Sequence, residues 1–201
     1  MKVFLNPGHS PNGRPDPGAC NPYTGLRECD VAKSIADLVA MYLTKAGVDV
    51  VGNLQSDNLY YDSDYDQSCV CEKANASGAD IFVSIHADGF DETAHGTSVL
   101  AYGAGTGEKL ADCILLQVVQ SLHTQDRGVK YRPDLKVLRH TDMPAVLVET
   151  AFIDNDEDEN CYGIIRMILP GQLHVASLIL SSRYLTRCKR YEANFQQKRT
   201  G

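Results

Sequence analysis

Short apolar runs alternate with longer segments of helical period along most of the chain. The runs predict six strands, at Lys2–Leu5, Val48–Val51, Ile81–Ile85, Thr97–Tyr102, Leu135–Leu138 and Ala145–Val148. Apolar spacing of three and four residues predicts helices at about Leu26–Ala46, Ser68–Ser77, Gly107–His123, Glu157–Ile168 and Gln172–Tyr184. Strands that alternate with helices are typical of an α/β domain.

Two polar segments fall outside this alternation. Asp57–Asp66 is acidic and imitates the start of a calcium loop, but Gln67 stands where that loop needs a glycine. A solvated loop is favoured there, because clustered charges usually face water. Thr186–Gly201 is polar and basic, and we expect a short tail there, after a single domain that spans residues 1–185.

Composition and charge exclude several classes of protein. With 43% hydrophobic and 22% charged residues among 201, the chain fits an ordinary globular domain. Its net charge of -7 argues against nucleic-acid binding. No apolar run approaches the roughly 20 residues that span a bilayer.

The N-terminus and the cysteines bear on the cellular compartment. Only three apolar residues follow Met1 and Lys2, whereas a secretory signal needs about 7–15, so we expect no signal peptide and synthesis in the cytoplasm. The seven cysteines are an odd count, which argues against a disulfide framework. Cys69 and Cys71 form a C-x-C pair, a poor zinc signature, so reduced and mostly buried thiols are expected.

Three residues suited to metal binding or acid–base chemistry follow apolar, strand-like runs. His9 follows the first run through a short Asn-Pro-Gly link, while His86 and Glu149 directly follow Ile81–Ile85 and Ala145–Val148. In open α/β sheets the carboxyl ends of neighbouring strands converge on one edge, where ligands bind. We therefore expect these three side chains to lie close together.

A carboxylate on the first predicted helix completes the set. The apolar stripe of that helix runs through Ala32, Ile35, Val39 and Tyr42. Extended back by four residues, the stripe reaches Glu28, and a buried, unpaired carboxylate would cost several kcal/mol unless it were paired, ligated or neutralised. Taken alone, Glu28 fits equally well a partly exposed first-turn residue that the helix dipole stabilises. With His9 and His86 available, a metal ligand is favoured.

Two imidazoles and one carboxylate, with an open fourth position, are a usual ligand set of catalytic zinc. His9, Glu28 and His86 are therefore the predicted ligands of one Zn²⁺, which would lower the pKa of a bound water to about 7. Glu149 would stay outside the ligand set, accept a proton from that water and deliver it to a leaving amide nitrogen. This pattern predicts a zinc-dependent amide hydrolase.

The remaining histidines lack the strand-end placement. We expect surface or structural roles for His95, His123, His140 and His174, with His95 and His140 as candidates for substrate contact. The sequence contains no Gly-x-Ser-x-Gly elbow and no convincing Cys–His pairing signal, so nucleophilic catalysis is disfavoured.

Several spaced motifs recur together in one order. They are Leu5–His9, Arg27-Glu28, Lys73–Asn75, Gly78–Asp88, Arg127–Lys130, Val137–Arg139 and Met143–Glu149. Over about residues 1–185 the chain resembles the amidase type 3 family, the zinc-dependent N-acetylmuramoyl-L-alanine amidases of autolysins and phage endolysins. The resemblance implies a largely parallel, mixed six-stranded sheet flanked by helices, and a catalytic acid–base role for Glu149. It also implies the substrate, the amide between N-acetylmuramic acid and L-alanine in peptidoglycan.

The chain departs from the family pattern at three places. Cys69–Cys71 occupies a stretch that usually carries arginine, Ala151 stands where glycine usually precedes Phe152, and the usual Thr-Arg pair is missing around Asn53–Asp57. These departures concern the substrate groove, and all four catalytic positions are filled.

Two alternative functions stay open from the sequence. One is a catalytically silent module that binds or regulates cell wall, although such a relative should have lost a ligand or Glu149. The other is a zinc peptidase that cuts the stem peptide. In either an endolysin or a sporulation autolysin, a chain without a signal would reach the wall after release during phage, prophage or mother-cell lysis.

Overall fold

The computed structural model of the protein describes residues 1–52 and 67–167. Within these residues the elements in chain order are β1 (Lys2–Pro7), α1 (Glu28–Lys45), β2 (Asp49–Gly52), α2 (Gln67–Ala76), β3 (Ile81–Asp88), β4 (Thr97–Ala101), α3 (Thr106–Leu122), β5 (Asp126–Tyr131), α4 (Lys136–Arg139), β6 (Ala145–Phe152) and α5 (Asp156–Met167). A short 3-10 turn, Pro11–Gly13, lies between β1 and α1.

The strands form one six-stranded sheet in the order β2-β1-β3-β6-β4-β5. β1, β2, β3 and β6 run parallel to one another, whereas β4 pairs with β6 in antiparallel fashion and β5 runs parallel to β4. The α/β domain with a largely parallel, mixed sheet is therefore confirmed. The parallel core strands are buried on both faces, which is why β3 is a nearly continuous apolar run.

Helices cover the sheet on both faces, and alternate strand residues supply two hydrophobic clusters. The first cluster joins Val3, Leu5, Val83, Val146 and Val148 of the sheet to Val31, Ile35 and Val39 of α1 and to Ile114 and Val118 of α3. The second joins Phe4, Phe82, Leu100 and Leu147 to Val70 and Ala74 of α2 and to Val137 and Leu138 of α4.

One predicted strand is wrong, and one observed strand was missed. The apolar run Leu135–Leu138 belongs to a short helix, α4, whose neighbouring residues Val137 and Leu138 both pack under the sheet. The sixth strand is instead Asp126–Tyr131, which is polar and only partly buried because it lies at an edge of the sheet. An edge strand carries a weak apolar signal, so periodicity favoured the more apolar run after it.

Some predictions lie outside the described residues. They concern the acidic loop Asp57–Asp66, the helix Gln172–Tyr184, the tail Thr186–Gly201 and the domain end at residue 185. The other predicted helices agree with α1, α2, α3 and α5 to within two residues at each described end. Among the helices that the structure describes, none is long and apolar enough to cross a lipid bilayer.

The described cysteines agree with the expectation of reduced, mostly buried thiols. Cys29, Cys71 and Cys161 are buried, Cys113 is half-buried and Cys20 is exposed, and all five carry free thiols. Burial raises the pKa of the Cys29 thiol to about 11, which keeps it protonated at neutral pH.

Candidate active site

The ends of two parallel strands and the start of one helix bring His9, Glu28 and His86 together. His9 lies two residues beyond β1, Glu28 is the first residue of α1, and His86 lies near the end of β3. One potential ligand atom from each residue lies within 4.8 Å of the other two. Glu28 and His86 are only 5% and 7% exposed, whereas His9 is half-buried.

The three side chains point at one another. Glu28 Oε1 lies 2.8 Å from His9 Nε2 and 2.9 Å from His86 Nδ1. The two ring nitrogens are 3.2 Å apart, and the imidazole planes meet edge to face with their centroids 4.9 Å apart. Two imidazole nitrogens and a carboxylate oxygen that converge in this way form a group that could hold one metal ion.

A carboxylate orients the His9 ring from behind. His9 Nδ1 lies 2.9 Å from Asp16 Oδ2, so the Nδ1 proton is donated to Asp16 and Nε2 faces the cluster. Carboxylates that accept a hydrogen bond from a ligating histidine fix its tautomer and raise its basicity. The sequence offered only a weak signal for Asp16, which lies seven residues after His9 in an irregular segment.

Buried polar groups orient the His86 ring in the same manner. His86 Nε2 lies 3.1 Å from Ser84 Oγ, and the Ser84 hydroxyl is 3.3 Å from the carbonyl oxygen of Asn6. When Ser84 donates its single proton to that carbonyl, His86 Nε2 is the donor to Ser84 and Nδ1 is left as the basic atom. Apolar periodicity could not reveal this role for Ser84.

Backbone donors hold the Glu28 carboxylate. Its Oε2 accepts a hydrogen bond from the amide of Ala19 at 2.8 Å, and Oε1 accepts one from the amide of Ala87 at 3.1 Å. Burial disfavours the ionised form of Glu28. When both imidazoles carry an additional proton, hydrogen bonds and positive charge from His86 and His9 outweigh burial and lower the pKa of Glu28 well below the ordinary value. Glu28 is therefore an anion at neutral pH.

Glu149 lies beside this cluster on the next strand. It pairs in register with His86 across β3 and β6, and its Oε2 atom is buried without a hydrogen-bond partner among the described residues. Burial raises the pKa of Glu149 to about 8; the nearby imidazoles oppose that rise, while Glu28 and Asp88 add to it. A cation held by the cluster would favour the carboxylate and lower this pKa.

Two glycines leave room for the cluster. A Cβ atom at Gly8 would overlap the imidazole ring of His86, and one at Gly18 would overlap Glu28 Oε2 and the His9 ring. Gly18 also has a φ of +70°, a conformation that glycine adopts without strain. Both positions belong to loops whose backbone closes directly over the three side chains.

The substitution Gly8→Ala is expected to displace the His86 ring, since overpacking at a rigid site costs about 1–3 kcal/mol. We expect the three converging side chains to bind a divalent metal ion more weakly, measured by titrating the purified variant with Zn²⁺. Gly103→Ala is the matched control, because a Cβ there meets nothing within 4 Å. Equal Zn²⁺ affinity in both variants would contradict the close packing of Gly8 against His86.

The other described histidines lie away from the cluster. His123 is an exposed residue that ends α3 in the left-handed conformation, and His140 is exposed at the end of α4. His95 is half-buried, and its carbonyl oxygen accepts a hydrogen bond from Arg127 at 3.0 Å. These placements fit the surface or structural roles expected for them, whereas His174 lies outside the described residues.

Residues 3–163 match the protein family described as N-acetylmuramoyl-L-alanine amidase. This match covers most of the chain and includes all four candidate site residues. The chain belongs to this family. Membership in the N-acetylmuramoyl-L-alanine amidase family agrees with the resemblance seen in the sequence motifs.

Relatives of known name agree with this family assignment. N-acetylmuramoyl-L-alanine amidase LytC of Bacillus subtilis is 35% identical over 160 residues, 78% of this chain and 30% of LytC. The endolysin of Bacillus phage SPP1 is 33% identical over 162 residues, 78% of this chain and 56% of the endolysin. This amidase-family chain thus spans less than two thirds of either relative.

A solved structure has the same fold over nearly its whole length. The crystal structure of N-acetylmuramoyl-L-alanine amidase from Clostridium difficile 630 superposes with a TM-score of 0.70 and 27% identity. The superposition covers 83% of this chain and 93% of that one. The six-stranded domain described above is therefore the fold of that amidase.

Proposed function

We propose that the protein hydrolyses the amide bond between N-acetylmuramic acid and L-alanine in peptidoglycan. One Zn²⁺ is held by His9, Glu28 and His86, and Glu149 is the general base and acid. The observation that carries the proposal is the convergence of two imidazole nitrogens and a buried carboxylate oxygen beside a Glu149 oxygen that has no partner in the described part of the chain. Family membership supports the choice of bond.

The residues at the site fit a zinc ion. Two imidazoles and one carboxylate are a known catalytic zinc set that keeps a position open. Asp16 and Ser84 orient the two rings as carboxylates and hydroxyls orient ligating histidines elsewhere. When bound, zinc supplies a Lewis acid that polarises the substrate carbonyl and makes a water more acidic.

Glu149 carries out the proton transfers in the proposed reaction. The water oxygen attacks the carbonyl carbon of the lactyl group, and Glu149 accepts the proton that the water releases. Glu149 then gives this proton to the amide nitrogen as the carbon–nitrogen bond breaks, because an amide nitrogen leaves poorly unless it is protonated. The products are the free lactyl carboxylic acid and the free amine of L-alanine.

We place this reaction in the cell wall, and we propose residues 1–185 as the catalytic unit, followed by a basic tail. The likeness to a phage endolysin supports release during phage lysis as the route to the wall, and release during mother-cell lysis is the alternative. A zinc peptidase that acts on the stem peptide uses similar chemistry and differs in the ends that it creates.

Digestion of purified peptidoglycan with and without a chelator tests this function. The expected result is new L-alanine amines and free lactyl groups, loss of these products after chelation, and their return when zinc is added back. Other new termini would identify a peptidase instead. Wall binding without any new ends would identify a silent binding module, and hydrolysis by a verified metal-free preparation would refute the zinc mechanism.

A further inference from the structure

Two buried polar atoms that lack partners lie on neighbouring strands. Among the described residues, the buried side-chain polar atoms without a hydrogen-bond partner are Ser98 Oγ, Arg127 Nε, Glu149 Oε2 and Asp154 Oδ1. Ser98 is a residue of β4 and is 1% exposed. A buried polar atom left without a partner costs about 1–3 kcal/mol, so such atoms usually mark a function or a missing contact.

The register of the sheet places Ser98 directly beside Glu149. β4 and β6 pair in antiparallel fashion with Ser98 opposite Glu149, followed by regular pairs down to Ala101 and Val146. Residues directly opposite each other in an antiparallel pair project from the same face, with Cβ atoms about 4.5–5.5 Å apart. Ser98 and Glu149 therefore share one face of the sheet and lie within reach of a hydrogen bond.

The line of paired residues across the sheet extends from Ser98 and Glu149 to His86 of the candidate metal site. His86 pairs with Glu149 from β3, so His86, Glu149 and Ser98 lie side by side on three adjacent strands. On the β3 side of this line, a serine already orients His86, because Ser84 Oγ lies 3.1 Å from its Nε2. On the β4 side, a second serine faces the carboxylate that the proposed function requires.

We propose that Ser98 is a positioning residue that donates a hydrogen bond from its hydroxyl to the Glu149 carboxylate. This inference rests on the proposed function for the role of Glu149. This contact would satisfy both buried atoms that have no partner among the described residues. A hydroxyl that donates to Oε2 fixes the carboxylate orientation and leaves Oε1 for the proton transfers.

Kinetics of Ser98→Ala and Ser98→Thr test this role. A hydrogen bond to a charged group predicts that Ser98→Ala lowers kcat roughly 10- to 100-fold while KM changes less than about two-fold. Ser98→Thr keeps the hydroxyl and is expected to restore most of the lost kcat. Zinc content, measured by metal analysis, should equal that of the unmodified protein in both variants.

Thr97→Val is the matched structural control on the same strand. Thr97 projects to the opposite face, where its hydroxyl lies 2.6 Å from Thr124 Oγ1 and donates to the carbonyl oxygen of Thr150 at 2.7 Å. Its loss removes buried hydrogen bonds and lowers stability without touching Glu149. A fall in kcat for Thr97→Val as large as that for Ser98→Ala would overturn the positioning role.

A double-mutant cycle in urea unfolding tests the contact without relying on activity. Ser98→Ala, Glu149→Ala and the double variant should be non-additive if the two side chains interact. Strictly additive effects, or a rise in KM with unchanged kcat, would overturn the proposal. Because the cycle needs no substrate, its result stands even if the protein does not hydrolyse peptidoglycan, which separates failure of this contact from failure of the proposed function.

Discussion

Replacing Glu149 with glutamine is expected to lower kcat roughly 10²–10⁴-fold, the range that one general acid–base group contributes. Glutamine keeps the shape of the side chain but neither accepts nor delivers the proton that the leaving nitrogen needs. Glu149 is close to His86 but supplies none of the three ligand atoms that converge, so zinc binding should persist. Activity assays measure the fall in kcat, and metal analysis of the same preparation measures the zinc content.

The metal content decides how the Glu149→Gln result is interpreted. An inactive variant that keeps one zinc supports a role outside the ligand set. An inactive variant that has lost its zinc would mean that the roles of ligand and acid–base group have been exchanged. Full activity would remove Glu149 from the mechanism altogether.

Replacing Glu28 with glutamine is expected to abolish both zinc retention and turnover. The Glu28 carboxylate is 5% exposed and accepts hydrogen bonds from the amides of Ala19 and Ala87. The neutral amide of glutamine lacks the negative charge that attracts the cation. Its NH₂ group also has to face one of the two backbone amides, which are themselves donors. We also expect lower stability, because a buried donor left unpaired costs about 1–3 kcal/mol.

Asp37→Asn is the matched control for Glu28→Gln. Asp37 lies on the same helix, is exposed, and forms an ion pair with Lys33 at 2.6 Å. Exposed pairs of this kind contribute about 0–1 kcal/mol, so zinc content and kcat should be unchanged. Zinc analysis and thermal unfolding of both variants make the comparison. A Glu28→Gln protein with one tightly held zinc and normal kcat would exclude Glu28 as a ligand.

The sequence predicted the core of the fold because its buried strands carry strong signals. β3 and β6 are nearly continuous apolar runs that end in His86 and Glu149, and parallel strands bring such ends to one edge. The apolar stripe of α1 pointed to Glu28, and the presence of His9 and His86 favoured a ligand over a partly exposed first-turn residue. Position along an element was therefore sufficient for the buried apolar strands and for the residues that directly follow them.

The features that the sequence did not reveal depend on contacts between distant segments. The edge strand β5 is polar, so its pairing with β4 gives no apolar pattern, and Leu135–Leu138 was mistaken for it. Asp16 and Ser84 act through the imidazole nitrogen that each one contacts, and the proposed role of Ser98 depends on the carboxylate opposite it. That information comes from sheet register and loop closure, which spacing along one chain does not contain.

β4 is antiparallel to β6, so β4 begins at the edge of the sheet where β6 ends. The connection into β4, residues 89–96, therefore passes over the edge that carries His86 and Glu149. Insertions or deletions in this connection can reshape the approach of a bulky polymer while the hydrogen-bonded ladder stays intact. Substrate access is accordingly easiest to alter at this crossing, because the sheet beneath it keeps its register.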